Sequence, residues 1–262
     1  EALRILASIK SNEKQDYYYW ATEAEALLLL ERFDEVLISL KKAKKLSKRN
    51  IGNRSTTYKQ LSLICNTKDV STDLIEAIRP PTVITYTGQM VHGIGKTPGI
   101  DPKDLAGIRK EIKLKFYQHN VDIAYGALAC GADILIAEEI LQLGGELNVI
   151  LPFAKEEFRK ISVTPAGKSW EKRFDTLIKK ANSISYVVDN AYSGYELLFE
   201  TCALQSMGRA FLRAKQLGSI PLQVAIWNQS KSSNKAGAAE AIRTWRKLGE
   251  KSELIKSLLP KR

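Results

Sequence analysis

From residue 82 onward, short runs of β-branched and aliphatic residues alternate with longer stretches of helical period, and this alternation narrows the fold more than any other feature. The β runs are "TVITYT" (82–87), "VDIAYG" (121–126), "ELNVILP" (146–152), "SISYVVD" (183–189) and "PLQVAIWN" (221–228). Helical patterns fill 103–119, 131–143, 168–181, 195–217 and 236–248. Strand–helix–strand repetition predicts an α/β domain of Rossmann-like type, a parallel sheet flanked by helices. Ligands of such sheets gather beyond the carboxyl ends of the strands. The residues just after each β run are therefore the candidates for function.

The first 65 residues follow a different rhythm. Apolar residues recur at helical spacing through Trp20, Ala24, Leu27 and Leu28, break at Glu31 to Asp34, and resume through Val36, Leu37, Leu40 and Ala43. This predicts a helical hairpin whose lengths, near-initial aromatic and "RFDEVLISLKKA" second helix resemble a tetratricopeptide repeat, with "RSTTYKQLSLIC" opening another helix. One such unit cannot bury its own face, so further repeats are expected upstream. The start at Glu1 rather than Met agrees with a segment of a longer protein. "NTKDVST" and "RPP" then punctuate the chain, with Pro80 and Pro81 closing a helix at Leu74 to Ile78. The expected organisation is a helical region over 1–75 and an α/β domain over 76–262.

Composition excludes several classes. With 44% hydrophobic side chains over 262 residues the chain can bury a sizeable core. No apolar run approaches the roughly 20 residues that cross a bilayer, so no membrane partner is expected. Cys65, Cys130 and Cys202 are odd in number, far apart and set in apolar surroundings, which suits buried thiols in a reducing cytoplasm better than disulfides or a metal site. The net charge of +11 is concentrated at the ends: the excess of Lys and Arg over Asp and Glu is +3 in 1–75, +2 in 76–228 and +6 in 229–262. A nearly balanced middle argues against direct nucleic-acid binding by the α/β body.

Each strand end offers candidates. After the first comes "TGQMVHGIGKTPG". "GIGKT" resembles a phosphate loop, but that motif needs a glycine where Met90 stands, and Pro98 interrupts the helix that should follow. Thr87, Gly88 and Gln89 either meet a polar ligand or form a simple turn; Lys96 either reaches a phosphate or is a surface lysine. In "YGALACGAD", Gly126 and Gly131 bracket a turn of small residues leading into a helix whose amide end favours an anion or ribose. Cys130 lines that turn as a small buried residue rather than a nucleophile. Asp133 either caps the helix or accepts from ribose hydroxyls. Pro152 and Phe153 follow the third strand, the phenyl ring stacking on a base or stapling the next helix, and Ser169 is placed as a later helix cap. The stretch "DNAYSGYELLFETC" supplies Tyr192, Ser193, Gly194 and Glu196 as ligand contacts. Glu196 and Glu200, one turn apart, are the weak candidates for acid/base work, against two solvated glutamates. Neither His92 nor His119 has a triad around it, and no metal spacing is present.

"RPPTVITYTGQMV", "YGALACGADILIAEEILQLGGELNVILPFAKEEF", "SWEKRFDTLIKKA" and "AIWN" followed by "AGAAEAIRTW" resemble the SLOG-type domain that follows tetratricopeptide repeats in the bacterial TPR-S family. SLOG domains are Rossmann-like relatives of the "lonely guy" phosphoribohydrolases. The resemblance implies a sensor in anti-phage or stress systems. It would bind a nucleotide- or NAD-derived signal, of cyclic nucleotide or ADP-ribose type, and control an attached or partner effector through its helices or an oligomeric equilibrium. No cofactor is implied. Two departures favour binding over turnover. The phosphoribohydrolases carry a PGGxGTxxE loop where this chain reads "DNAYSGYELLFE", and relatives commonly read Thr-Gly-His where Thr87-Gly88-Gln89 stands. The alternatives are an N-glycosidase acting on a nucleotide or NAD through Glu196 or Glu200, and a protein-interaction scaffold.

Overall fold

A computed structural model describes residues 1–9, 16–47, 50–91, 99–192, 194–227 and 237–256. It divides into two compact units, Glu1–Pro81 with Lys215–Ser219, and Thr82–Ala214 with Ile220–Arg262. The second unit thus starts where the β pattern starts.

The first unit is helical: α1 (Ala2–Ser8), α2 (Tyr17–Leu29), α3 (Phe33–Leu46), α4 (Ile51–Thr67) and a 3-10 turn at Thr72–Ile78. Asp16 starts α2 by accepting from the Tyr18 amide, and Asn50 starts α4 by accepting from the Asn53 amide at 3.0 Å. Between α2 and α3 the chain reverses through Glu31 at φ 60°, while the Arg32 amide bonds back to the Leu27 carbonyl. The apolar spacing of these helices points Ala24, Leu27, Leu28, Val36, Leu40, Leu61 and Cys65 into one core, closed by Ile75 and Ile78 of the 3-10 turn. The helix expected before Pro80 is this tighter turn.

The second unit holds a six-stranded sheet: β1 (Thr82–Gly88), β2 (Val121–Gly126), β3 (Glu146–Leu151), β4 (Ser183–Tyr186), β5 (Pro221–Ile226) and β6 (Ser252–Ile255). The order is β4-β3-β2-β1-β5-β6 and every pairing is parallel. Parallel strands need crossovers, supplied by α5 (Leu105–Gln118), α6 (Ala132–Gln142), α7 (Lys155–Ser162), α8 (Lys168–Lys180), α9 (Leu197–Leu217) and α10 (Ala238–Lys247). Apolar side chains of α5, α6 and α8 join Ile84, Leu147, Val149, Val224 and Ile226 in the main core. On the opposite face Cys202 of α9 bonds the Ile150 carbonyl, the Gln223 side-chain amide bonds the Ala241 carbonyl of α10, and Met207 packs on Trp245. Burial on both faces explains why the inner strands read as nearly unbroken apolar runs.

Ion pairs knit the helices of the first face. Glu138 of α6 takes Arg173 of α8 at 2.6 Å and also pairs with Arg109 of α5, which bonds the buried Glu139 at 2.7 Å. Several expectations needed correction. A sixth strand pairs on β5; "SELI" is short and half polar and carries no period-2 signal that would mark it in the sequence. Helix α7 also exists. β4 ends at Tyr186 rather than 189, at a sheet edge. Gly167, not Ser169, precedes α8, and Ser169 lies inside its first turn.

Candidate ligand site at the carboxyl edge of the sheet

Because all six strands are parallel, Gly88, Gly126, Leu151, Tyr186, Ile226 and Ile255 end along one edge. The strand order reverses there. From β1 the chain runs outward through β2, β3 and β4, then returns to β5 on the other side of β1 and continues to β6. Connections leaving two neighbouring strands in opposite directions open a crevice between their ends, the usual seat of ligands in open α/β sheets. Here the crevice lies where Gly88 pairs with Ile226, and the Gln89 amide extends the pairing to the Ile226 carbonyl at 3.1 Å.

Thr87 and Gly88 are half-buried at this point, and Gln89 is 7% exposed. Gly88 is backed by Ala132: a β-carbon on the glycine would overlap the alanine methyl and lie 2.8 Å from the Ile226 carbonyl oxygen. Gly131, at φ 114°, approaches the Gln89 carbonyl so closely that a β-carbon would lie 2.5 Å from it, and the Ala132 amide donates to that carbonyl at 3.0 Å. Met90 and Gly131 form an antiparallel bridge. Gly126 lies over the Tyr86 ring, 2.5 Å from a would-be β-carbon, while the Tyr86 hydroxyl donates to the Ala127 carbonyl at 2.8 Å. The glycines of this edge therefore serve close contact between protein segments.

The turn between β2 and α6 is held by its own chain. The Ala129 amide donates to Asp133 Oδ2 at 3.2 Å, and the Cys130 amide donates to the Ser162 carbonyl at 2.9 Å. Asp133 thus accepts from the turn before α6 rather than from an amide of the helix. The residue keeps some surface, but its carboxyl is turned inward, and burial pushes it up to about 7 against the opposing pull of the Ala129 amide. The same burial raises the Cys130 thiol to about 11.

Pro152 and Phe153 are buried behind the edge. The Phe153 ring lies 4.7 Å from Tyr192 and 5.4 Å from Phe199, in contact with Phe158 as well. The Ala154 amide bonds the Asn190 carbonyl at 3.0 Å, joining the loops after β3 and β4. Gly194 (φ 86°) and Glu196 are exposed, and Glu200 is half-buried in the first turn of α9. Lys96, Ser193 and His92 lie outside the described residues. The edge thus gathers Thr87 to Gln89, Gly126 to Asp133 and Trp227, and sets Phe153 and Tyr192 in a neighbouring aromatic cluster. Tyr86 and Trp227 escaped the sequence reading. Trp227 ends an apolar run, and its position immediately after β5 was the available signal. Among the described residues no group of three or more His, Cys, Asp or Glu is placed to hold a metal ion, and no helix is long and apolar enough to cross a membrane.

The architecture defines the class: an all-parallel, Rossmann-like α/β unit with its order reversal at β1 and β5, accompanied by a helical unit. No protein-family model matches the chain, and no match is found among the curated proteins or the solved structures.

Proposed function

We propose that this protein is a sensor of a nucleotide- or NAD-derived signal, of the SLOG type, and that its helical unit is a tetratricopeptide-like segment that passes the signal to an effector. The observation that supports it best is the order reversal between β1 and β5, which sets Thr87, Gly88 and Gln89 beside the end of β5 at the opening where α/β sheets take up ligands. Asp133, its carboxyl turned inward onto the Ala129 amide, would meet a ribose hydroxyl only once that bond opens.

A sensor needs two states with different affinities. The Asp133–Ala129 and Ala132–Gln89 bonds supply one of them, a closed edge. A ligand that takes over these partners shifts the turn 127–131 and with it the start of α6. For the readout, the helical unit carries a groove of about 420 Å³ lined by Leu3, Tyr19, Trp20, Glu23, Ile38 and Lys42, with the Lys42 ammonium 3.8 Å above the Trp20 ring. Its mixed apolar and charged walls suit a peptide segment of a partner.

Thermal unfolding with a panel of cyclic nucleotides, ADP-ribose derivatives and NAD tests the reading. A ligand that binds only the folded chain stabilises it by about 2.7 kcal/mol at a hundred times its Kd. A panel without any shift ends the proposal.

A further inference from the structure

We infer that the groove between Trp227 and the outer face of α10 is where a nucleotide seats, its base against the indole and its phosphates on Arg243, Arg246 and Lys247. The groove has a volume of about 420 Å³, and its lining is completed by Ala239 and Ile242. Three cations line it beside an apolar floor, one of them, Arg243, paired with Glu240. The inference rests on the nucleotide reading above and gives it a location one strand away from the β1/β5 crevice.

Three observations carry it. First, Gly88 and Gly131 at the β1/β5 crevice are packed against the protein's own Ala132, Ile226 and Gln89, which leaves no room beside these two glycines. Trp227 follows β5 directly, its amide fixed to the Ile255 carbonyl of β6 at 3.0 Å, and it is half-buried and lines the groove. Secondly, the cations recur at helical spacing. Arg243, Arg246 and Lys247 are three and four residues apart, hence on one side of α10, and all three are exposed. Among the described residues Arg243 pairs with Glu240, while Arg246 and Lys247 have no ion-pair partner. Last-turn cations also answer the helix dipole, but the dipole requires neither Arg243, one turn earlier, nor a tryptophan beside them. Thirdly, the chemistry is matched. Guanidinium groups form forked bonds to phosphate, and an indole stacks on any base because each base has a π face. An anionic peptide would use the cations but leave the ring without a flat partner.

The test uses the full chain with ATP and ADP-ribose as probes and Kd from calorimetry. Because Arg243, Arg246 and Lys247 are exposed, the variant Arg243→Ser/Arg246→Ser/Lys247→Ser is expected to fold, which circular dichroism verifies. It should weaken binding by roughly ten-fold or more. Trp227→Leu should weaken it by roughly five-fold or more while Trp227→Phe restores most of it. Lys179→Ser, exposed on α8, serves as the control and should leave Kd unchanged, while Thr87→Val reports on the crevice. Loss of binding with Thr87→Val but not with the α10 variants would overturn the groove and leave the sensor reading standing at the crevice. Binding unchanged in all variants would also overturn the groove. If neither probe nor the wider panel binds the wild-type chain at millimolar concentration, both readings fall.

Discussion

Gly88, at the end of β1, and Ala132, which opens α6, are in such close contact that a β-carbon on the glycine would overlap the alanine methyl. The Ile226 backbone, 2.8 Å from the same point, leaves no direction in which to yield. Gly88→Ala should therefore cost about 3 kcal/mol. Gly208, within α9, provides the control: nothing lies within 4 Å of its would-be β-carbon. Gly208→Ala should stabilise by about 0.5 to 1 kcal/mol through lower backbone entropy in the unfolded chain. Urea titration of both variants checks the pair, and equal effects would show that the contact at Gly88 is loose.

Asp133 predicts a stability that falls as pH rises. Burial raises its carboxyl from 3.8 to about 7 in the folded chain. The fold then holds the proton more tightly than the unfolded chain, so the contribution is complete below about pH 4 and is lost as pH climbs to about 7. Asp133→Asn removes the titration. The variant should gain on the wild type between pH 5 and pH 8 by an amount on the order of 3 kcal/mol. A difference between the two proteins that does not change with pH would place this carboxyl in water.

Glu253 on β6 should show the opposite sign. Burial acts to raise its carboxyl, but Lys251 at 2.9 Å and Lys115 of α5 at 2.9 Å outweigh it and hold the group at about 2. His119 Nε2 stands 3.1 Å away on the same carboxylate. Its contribution is present above about pH 4.5 and is lost as pH falls toward 2. After allowing for solvent screening of the lysines, Glu253→Gln should cost about 1 kcal/mol at pH 7 and almost nothing near pH 2. Denaturant midpoints at the two pH values measure this.

The three cysteines are free and buried. Burial raises the Cys202 thiol to about 12 and the Cys130 thiol to about 11, and raises that of Cys65 as well. Thiolate is the reactive form, so a disulfide reagent at pH 8 should modify the native chain slowly and all three sites rapidly in guanidinium. Rapid labelling of Cys130 without denaturant would show that the turn before α6 opens readily.

The sequence by itself determined the α/β class, five of the six strands and the large crossover helices. Val83, Ile84, Ile123, Val149 and Ile150 form runs that can be satisfied only by cover on both faces, and the helical periods between them supply that cover. It also marked the edge residues Thr87 to Gln89 and Gly126 to Asp133. The tertiary structure alone decided the rest. β6 carries one fully buried apolar residue, Ile255, and exists because Gln223 to Ile226 offer a pairing edge; hydrogen bonds between distant segments leave no trace in local pattern. The roles of Gly88, Gly126 and Gly131 depend on what faces the missing side chain, and Ala132, Tyr86 and Gln89 are set there by strand order rather than by neighbourhood in the chain. Trp227 and Arg246 share one groove for the same reason: 18 residues separate them along the chain, and only the β5–α10 crossover folds that separation back on itself.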